Sequence, residues 1–336
     1  MPSLKLYGDF LALGHRGGIG SLQRLAKRFM PVEWVAEKDA RVGLFWNNGQ
    51  LTPERLASFK GYKVVYGSGN YVPCMCPEGA STRKFNDLTA RVAAVADAFS
   101  HTSLAHREFV VGTIAPSLAK KPWAVLPPTF DPATYRPGPP VAELRVVAVA
   151  FWRDWFRWIT IFEAFARVLA KVPGSRLILA GGWLPGVMDT QKRVATELNV
   201  LKAIDWVYEP DRTCTQEDEI IAAACQRGTV FVHSRFADWG TLTCVEALAS
   251  GLPVIHGDVG GMPEFVGDCG KKLSFRAPMT SPTLALLDPL EIADAVLELH
   301  AKRAELRPLC IERARQFAAP VVYAAYTKWI RECAKL

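Results

Sequence analysis

The sequence predicts an α/β protein built of two parallel-sheet domains in tandem, and three observations carry that prediction. Short apolar runs alternate with segments of helical periodicity from residue 4 onward. Six prolines crowd residues 127–140, and beyond residue 144 the alternation starts afresh. A proline cluster of this kind continues neither a helix nor a central strand, so it reads as an interdomain linker, with a boundary near residue 140. The economical expectation is a Rossmann-like domain over 1–140, a second over 141–317, and a terminal helix over 318–336.

The elements follow in order. Residues 4–13 read as a strand through Leu4, Leu6 and Phe10, followed by the glycine loop Gly-His-Arg-Gly-Gly-Ile-Gly at 14–20 and a helix over 21–29. Apolar runs at 42–46, 64–66, 96–99 and 124–126 read as further strands, with a helix-like segment at 88–96 between them. In the second half, the run at 145–151 reads as an apolar strand, Trp158, Ile161, Phe162, Phe165, Val168 and Leu169 mark one face of a long helix, and 177–180 predicts the next strand, closed by Gly181-Gly182. Residues 288–299 and 317–330 read as amphipathic helices, the latter broken at Pro320. Trp152, Trp155 and Trp158, at three-residue spacing, read as a packing stripe.

Composition narrows the class. Of 336 residues, 50% are hydrophobic and 22% charged, which excludes a disordered chain, and the longest apolar run, seven residues at 146–152, excludes a membrane span by hydropathy. No secretory signal is recognisable near residue 1, so the cytoplasm is the expected location. The eight cysteines show no C-x-x-C pair; Cys74 and Cys76 are the one close pair and lack further ligands at zinc spacing, so free thiols and no metal are expected. The net charge of +7 lies entirely in residues 1–140, where seventeen Lys and Arg face ten acids. That asymmetry suggests either an anionic partner, such as a phosphate-bearing lipid, an acidic glycan or a nucleic acid, or a solvated basic surface. Tyr62, Tyr66 and Tyr71 fall into no nucleic-acid motif.

The densest chemical signal runs over 230–270. A buried strand there leads through Asp238, Gly240, Thr241 and Leu242 into a helix carrying Glu246 and ending at Gly251, then into a strand at 253–255 and the turn Gly260-Gly261. Ligands of open α/β sheets bind at the carboxyl ends of such strands. A helix starting near Gly240 offers free N–H groups and a positive dipole end to a diphosphate, and Glu246, deeper in the helix, can accept hydrogen bonds from ribose hydroxyls.

At this point the sequence resembles the family 4 glycosyltransferases of GT-B fold, whose signature is two carboxylates separated by seven residues. Asp238 and Glu246 stand at that spacing, and the following Ala-Leu-Ala-Ser-Gly-Leu-Pro-Val-Ile and Gly-Gly-Met-Pro-Glu continue the likeness. The resemblance implies two Rossmann-like domains facing each other across a cleft, a terminal helix over 318–336 that crosses back to the first domain, and a retaining enzyme that uses a nucleoside-diphosphate sugar, UDP- or GDP-linked. It places Asp238, where the family usually has Glu, on the donor-sugar hydroxyls, Glu246 on the ribose, Gly261 near the sugar, and the backbone of Gly240 against phosphate. It also assigns the donor phosphates to Arg153 and Arg157, and likens Gly17, Gly18 and Gly20 to the glycine loop that meets those phosphates from the first domain. Ser100 and His101 resemble the family's strand end facing the acceptor, with His15 beside the glycine loop as a further acceptor-side candidate. No cofactor and no essential metal are implied. The acceptor is left open among a glycan, a lipid-linked group and a nucleic acid, with peripheral membrane contact as one option; donor-base contacts are expected near residues 207–209. Two other readings stay open: a GT-B sugar-nucleotide epimerase or phosphorylase, and a non-catalytic protein that binds a nucleotide sugar or an anionic polymer.

Overall fold

The structure is a computed structural model and describes residues 3–10, 18–47, 50–67, 80–152, 158–207, 214–275 and 286–336. The chain divides into two compact units, one formed by Met1–Thr129 with Phe317–Leu336 and the other by Phe130–Pro278 with Leu284–Gln316. The passage falls at Thr129–Phe130, so the prolines from Pro132 to Pro140 belong to the second unit.

In the first unit the order is β1 (Leu4–Gly8), α1 (Gly18–Phe29), β2 (Val32–Trp34), β3 (Val42–Asn47), α2 (Pro53–Ser58), β4 (Tyr62–Gly67), α3 (Ala80–Val95), β5 (Ala98–His101), α4 (Leu104–Phe109) and β6 (Trp123–Val125). The strands form one parallel sheet in the order β2-β1-β3-β4-β5-β6. β3 is buried at every residue, as a central strand covered on both faces must be. Two helices open on caps legible in the sequence: Thr52 Oγ1 accepts the Arg55 N–H ahead of Pro53, and Ser103 Oγ accepts the His106 N–H. β1 is shorter than the run at 4–13 predicts and ends at Gly8. α1 starts earlier than expected, so Gly18 and Gly20 lie in its first turn and not in a loop.

The second unit runs β7 (Arg145–Trp152), α5 (Ile159–Lys171), β8 (Arg176–Trp183), α6 (Val187–Glu197), β9 (Ile204–Val207), α7 (Cys214–Gln226), β10 (Val230–Val232), α8 (Leu242–Ala249), β11 (Val254–Gly257), α9 (Met262–Val266), β12 (Gly270–Leu273), α10 (Pro289–Ala301) and α11 (Arg303–Arg315). Its parallel sheet has the order β12-β11-β10-β7-β8-β9. β7 pairs with β8 along its full length, from Arg145 opposite Arg176 to Trp152 opposite Trp183. α10 opens on Asp288, whose Oδ1 accepts the Leu290 N–H at 2.8 Å, with Pro289 at its first position. Trp152 and Trp158 are buried, as the packing reading of the tryptophans requires, and Trp155 lies outside the described residues.

The last helix, α12 (Ala319–Cys333), belongs to the first unit. Tyr323 donates its hydroxyl to the Leu22 carbonyl at 2.8 Å, and Tyr326 and Ser100 share a hydrogen bond of 2.7 Å between their hydroxyls. Pro320 does not break this helix: it sits in the first turn, where an N–H has no intrahelical acceptor to miss.

One surface lysine closes the first unit locally. Lys121 Nζ donates to the carbonyls of Ala93 and Ala94 at 2.9 Å each and also to that of Ala96, capping the carboxyl end of α3. Lys121→Met is expected to cost about 1–2 kcal/mol, read as a lowered thermal midpoint of this unit.

Candidate functional site

In the second unit, the carboxyl ends of β10 and β11 are brought together by one backbone crossing. Past β10 the chain turns sharply, with Ala237 in the left-handed region at φ 47°, and Asp238 forms a parallel bridge to Gly260. The Gly261 N–H donates to the Asp238 carbonyl at 2.8 Å. Gly260 has φ 97°, and a Cβ there would stand 2.4 Å from the Asp238 carbonyl oxygen, so only glycine lets the two turns touch.

The Asp238 carboxylate fixes the same crossing from its side chain. Its Oδ1 accepts the Gly240 N–H at 3.2 Å, while Oδ2 lies 3.2 Å from His233 Nε2 and 3.4 Å from an Arg235 nitrogen. Burial works to raise its pKa, but the Arg235 charge, His233 and the Gly240 N–H outweigh it and hold the carboxyl well below the usual range. A carboxylate offers about four lone-pair sites. The Gly240 N–H takes one of the two on Oδ1 and leaves the other, while Oδ2 faces Arg235 and His233.

α8 begins two residues beyond Gly240, with Thr241 as its N-cap, and not at Gly240 as the sequence suggests. The Thr241 side chain does not cap the helix; its hydroxyl pairs with that of Thr243 at 3.1 Å. The first turn contains no acidic residue, so the positive end of α8 is left uncompensated by its own side chains. Glu246, a turn further along, is 4% exposed. The charges of Asp238 and Glu246 both act on the Cys244 thiol, which lies between them in sequence and is pushed well up, first by burial. Thus Asp238, Gly240, Thr241, Leu242, Glu246, Gly260 and Gly261 gather on two adjacent loops and the helix that follows one of them.

Sequence reasoning passed over three groups here. His233 and Arg235 reach Asp238 through the Ala237 turn, which residue identity does not announce. His256, on β11, is 1% exposed; burial lowers its pKa to about 4, and its Nδ1 lies 2.8 Å from the Gly257 carbonyl.

In the first unit, Ser100 and His101 end β5. Both are fully buried, and Ser100 is committed to Tyr326. His101 packs against Phe99 and His106, ring centroids 5.0 and 5.5 Å away, and neither of its ring nitrogens has a hydrogen-bond partner among the described residues. Burial, then the Arg107 charge, lowers its pKa to about 3, so the ring is neutral. Its neighbour His106 is anchored: the Thr102 N–H donates to Nδ1 at 3.2 Å. Gly18 and Gly20 open α1, also in this unit. Gly17, His15, Arg153 and Arg157, like Cys74 and Cys76, lie outside the described residues. Among the described residues, no group of three or more His, Cys, Asp or Glu is placed to hold a metal ion, five cysteines are free, and no helix is long and apolar enough to cross a membrane.

Residues 145–302 match the family described as glycosyl transferases group 1. The D-inositol 3-phosphate glycosyltransferase of Mycolicibacterium smegmatis is 34% identical over 109 residues, covering 32% of this chain and 24% of that protein, so the match spans about a quarter of the relative's length. Among solved structures, the Anabaena protein HepE in complex with UDP superposes with a TM-score of 0.67 at 15% identity, over 99% of this chain and 100% of that one. A glycosyltransferase from Rickettsia africae gives 0.69 at 9% identity over the whole of both chains. Sucrose-phosphate synthase from Thermosynechococcus elongatus gives 0.65 at 16% identity, over 87% and 73% respectively.

Proposed function

We propose that this chain, which has the GT-B fold and matches the glycosyl transferases group 1 family over residues 145–302, is a retaining glycosyltransferase that moves a sugar from a nucleoside-diphosphate sugar to an acceptor. The observation that carries the reading is the pairing of an uncompensated helix start at Thr241–Leu242 with the buried carboxylate of Glu246 on the same helix. A diphosphate fits the first feature and ribose hydroxyls fit the second. UDP is the first nucleotide to test, because HepE is described in complex with UDP and with UDP and glucose.

In this reading, the first-turn N–H groups of α8 take the diphosphate, Gly240 lets it approach the backbone closely because it has no side chain, and Arg153 and Arg157 neutralise the charge that grows on the departing phosphate. Asp238 uses its remaining lone pair on a donor-sugar hydroxyl while holding the turn in place, and Gly261, without a side chain, lets the sugar approach the backbone. The leaving phosphate itself takes the acceptor proton on the face it vacates, so no separate base is needed. Positioning and charge stabilisation then supply the rate, without an essential metal. The basic residues 1–140 take the acceptor.

Two measurements test this. Proton NMR of slow donor hydrolysis in EDTA should show first release of the sugar with the donor's anomeric configuration; release of the opposite anomer overturns the retaining mechanism. Glu246→Ala should weaken nucleotide binding by about 10- to 100-fold, the scale of hydrogen bonds to a charged group, with the protein still folded. Unchanged affinity by calorimetry removes the ribose role.

A further inference from the structure

The first residue past β10 is His233, at the strand's carboxyl end. Its N–H donates to the Ile255 carbonyl at 2.8 Å, which carries the pairing of β10 with β11 one residue further and fixes the backbone from which the ring projects. The residue is 8% exposed, and its two ring nitrogens have different surroundings.

Nε2 is buried and stands 3.2 Å from Asp238 Oδ2, on too bent an approach to count as a straight hydrogen bond. A carboxylate only accepts, so the nitrogen that faces it is the one that carries the proton. Nδ1 has no hydrogen-bond partner among the described residues and lies on the part of the ring that solvent reaches. Holding Asp238 does not by itself call for an imidazole. The Arg235 charge and the Gly240 N–H already oppose the burial of the carboxylate, and an apolar side chain would fill the same space without a polar atom to satisfy. The accessible nitrogen is the feature that packing leaves unexplained.

Given the donor-sugar role proposed above for Asp238, we infer that His233 is a second contact to the donor sugar: Nε2, set against Asp238, fixes the ring, and Nδ1 bonds a hydroxyl beside the one that Asp238 Oδ1 takes. A hydroxyl both donates and accepts, so Nδ1 can bond one whether or not the ring carries a second proton. The carboxylate and Nδ1 are one imidazole ring apart, so two neighbouring hydroxyls of a pyranose can meet both. A site built to hydrogen-bond a sugar hydroxyl rejects a sugar that lacks it, because its own polar atom is then left unpaired. His233 therefore adds to sugar selection and not to nucleotide affinity.

The test is calorimetry on the full native chain, His233→Gln and His233→Asn, with UDP and GDP and with UDP-glucose, UDP-N-acetylglucosamine and GDP-mannose, following the nucleotide sugar that the native chain binds most tightly. Glutamine places its amide near the position of Nε2 and asparagine near that of Nδ1, and thermal midpoints verify folding. His233→Gln should weaken the nucleotide sugar about tenfold and leave the free nucleotide within about twofold of native. His233→Asn should keep nucleotide-sugar affinity to within about threefold, since its amide still reaches the hydroxyl. An unchanged nucleotide-sugar affinity in His233→Gln, an equal weakening of sugar-bearing and free nucleotide, or the same loss in both variants overturns the Nδ1 contact and leaves the role of Asp238 standing. A native chain that binds none of these nucleotide sugars removes the role of Asp238 and the His233 contact together.

Discussion

Asp238→Ala is expected to lower the thermal midpoint of the second unit by roughly 6–12 °C and to eliminate nucleotide binding. The carboxylate is the fastening of the crossing between the β10 and β11 loops, and its removal strands three partners at once: the Gly240 N–H, His233 and the Arg235 guanidinium. Breaking a buried ion pair by deleting one partner costs about 3–5 kcal/mol. Arg235 is partly exposed and recovers some solvation, so about 3 kcal/mol is the expected net loss, and 2–4 °C per kcal/mol is the scale for a unit of this size. Asp238→Asn keeps an acceptor for the Gly240 N–H but not the charge, and should lose less than half as much. Binding fails in the alanine variant because Gly240 and Thr241, released from the turn, no longer present α8 to a phosphate. An unchanged midpoint would show that the crossing is held by the backbone bridge to Gly260 alone.

The second large effect is acid lability in both units. His101 and His256 titrate at about 3 and about 4 in the folded chain, against about 6.5 when unfolded. Their folded pKa values are depressed, so the unfolded chain binds protons first: the stability they contribute is whole above pH 6.5 and is lost as pH falls toward the folded values. At pH 4.5 each unit should have lost on the order of 2.5 kcal/mol relative to pH 7.5. His106, buried beside His101 and also pushed well down, adds to the loss in the first unit. Thermal midpoints measured between pH 7.5 and 4.5 should fall steeply, and His101→Phe should flatten the first unit's curve. A native midpoint independent of pH over that range would contradict the burial of neutral histidines.

Much of the architecture was legible because it rests on burial. The run at 146–152 reads as a central strand since every residue is apolar, and β7 is such a strand; Asp288-Pro289 reads as a helix start because cap and first-turn proline are local chemistry. Other elements were misread where position decides the outcome. Pro320 breaks a helix interior but not a first turn, and Gly18 and Gly20, which composition assigns to a loop, are tolerated at the start of α1. α11 escaped altogether: it is strongly charged and contains Pro308, and of its residues only Cys310 and Ala314 are buried, so no apolar stripe marks it. In the site, residues on one short segment could be grouped from sequence alone. His233 and Arg235 reach theirs through a turn whose geometry lies in φ and in long-range packing, which leaves no periodic trace.

A nucleotide-sugar site on α8 is tested by calorimetry of the native protein with UDP-, GDP- and ADP-sugars, each with magnesium and with EDTA. Selective binding of one nucleotide sugar is expected, equal under both conditions and lost in Glu246→Ala. Absence of binding by all three, or binding that survives loss of the Glu246 carboxylate, would contradict a nucleotide-sugar site on α8.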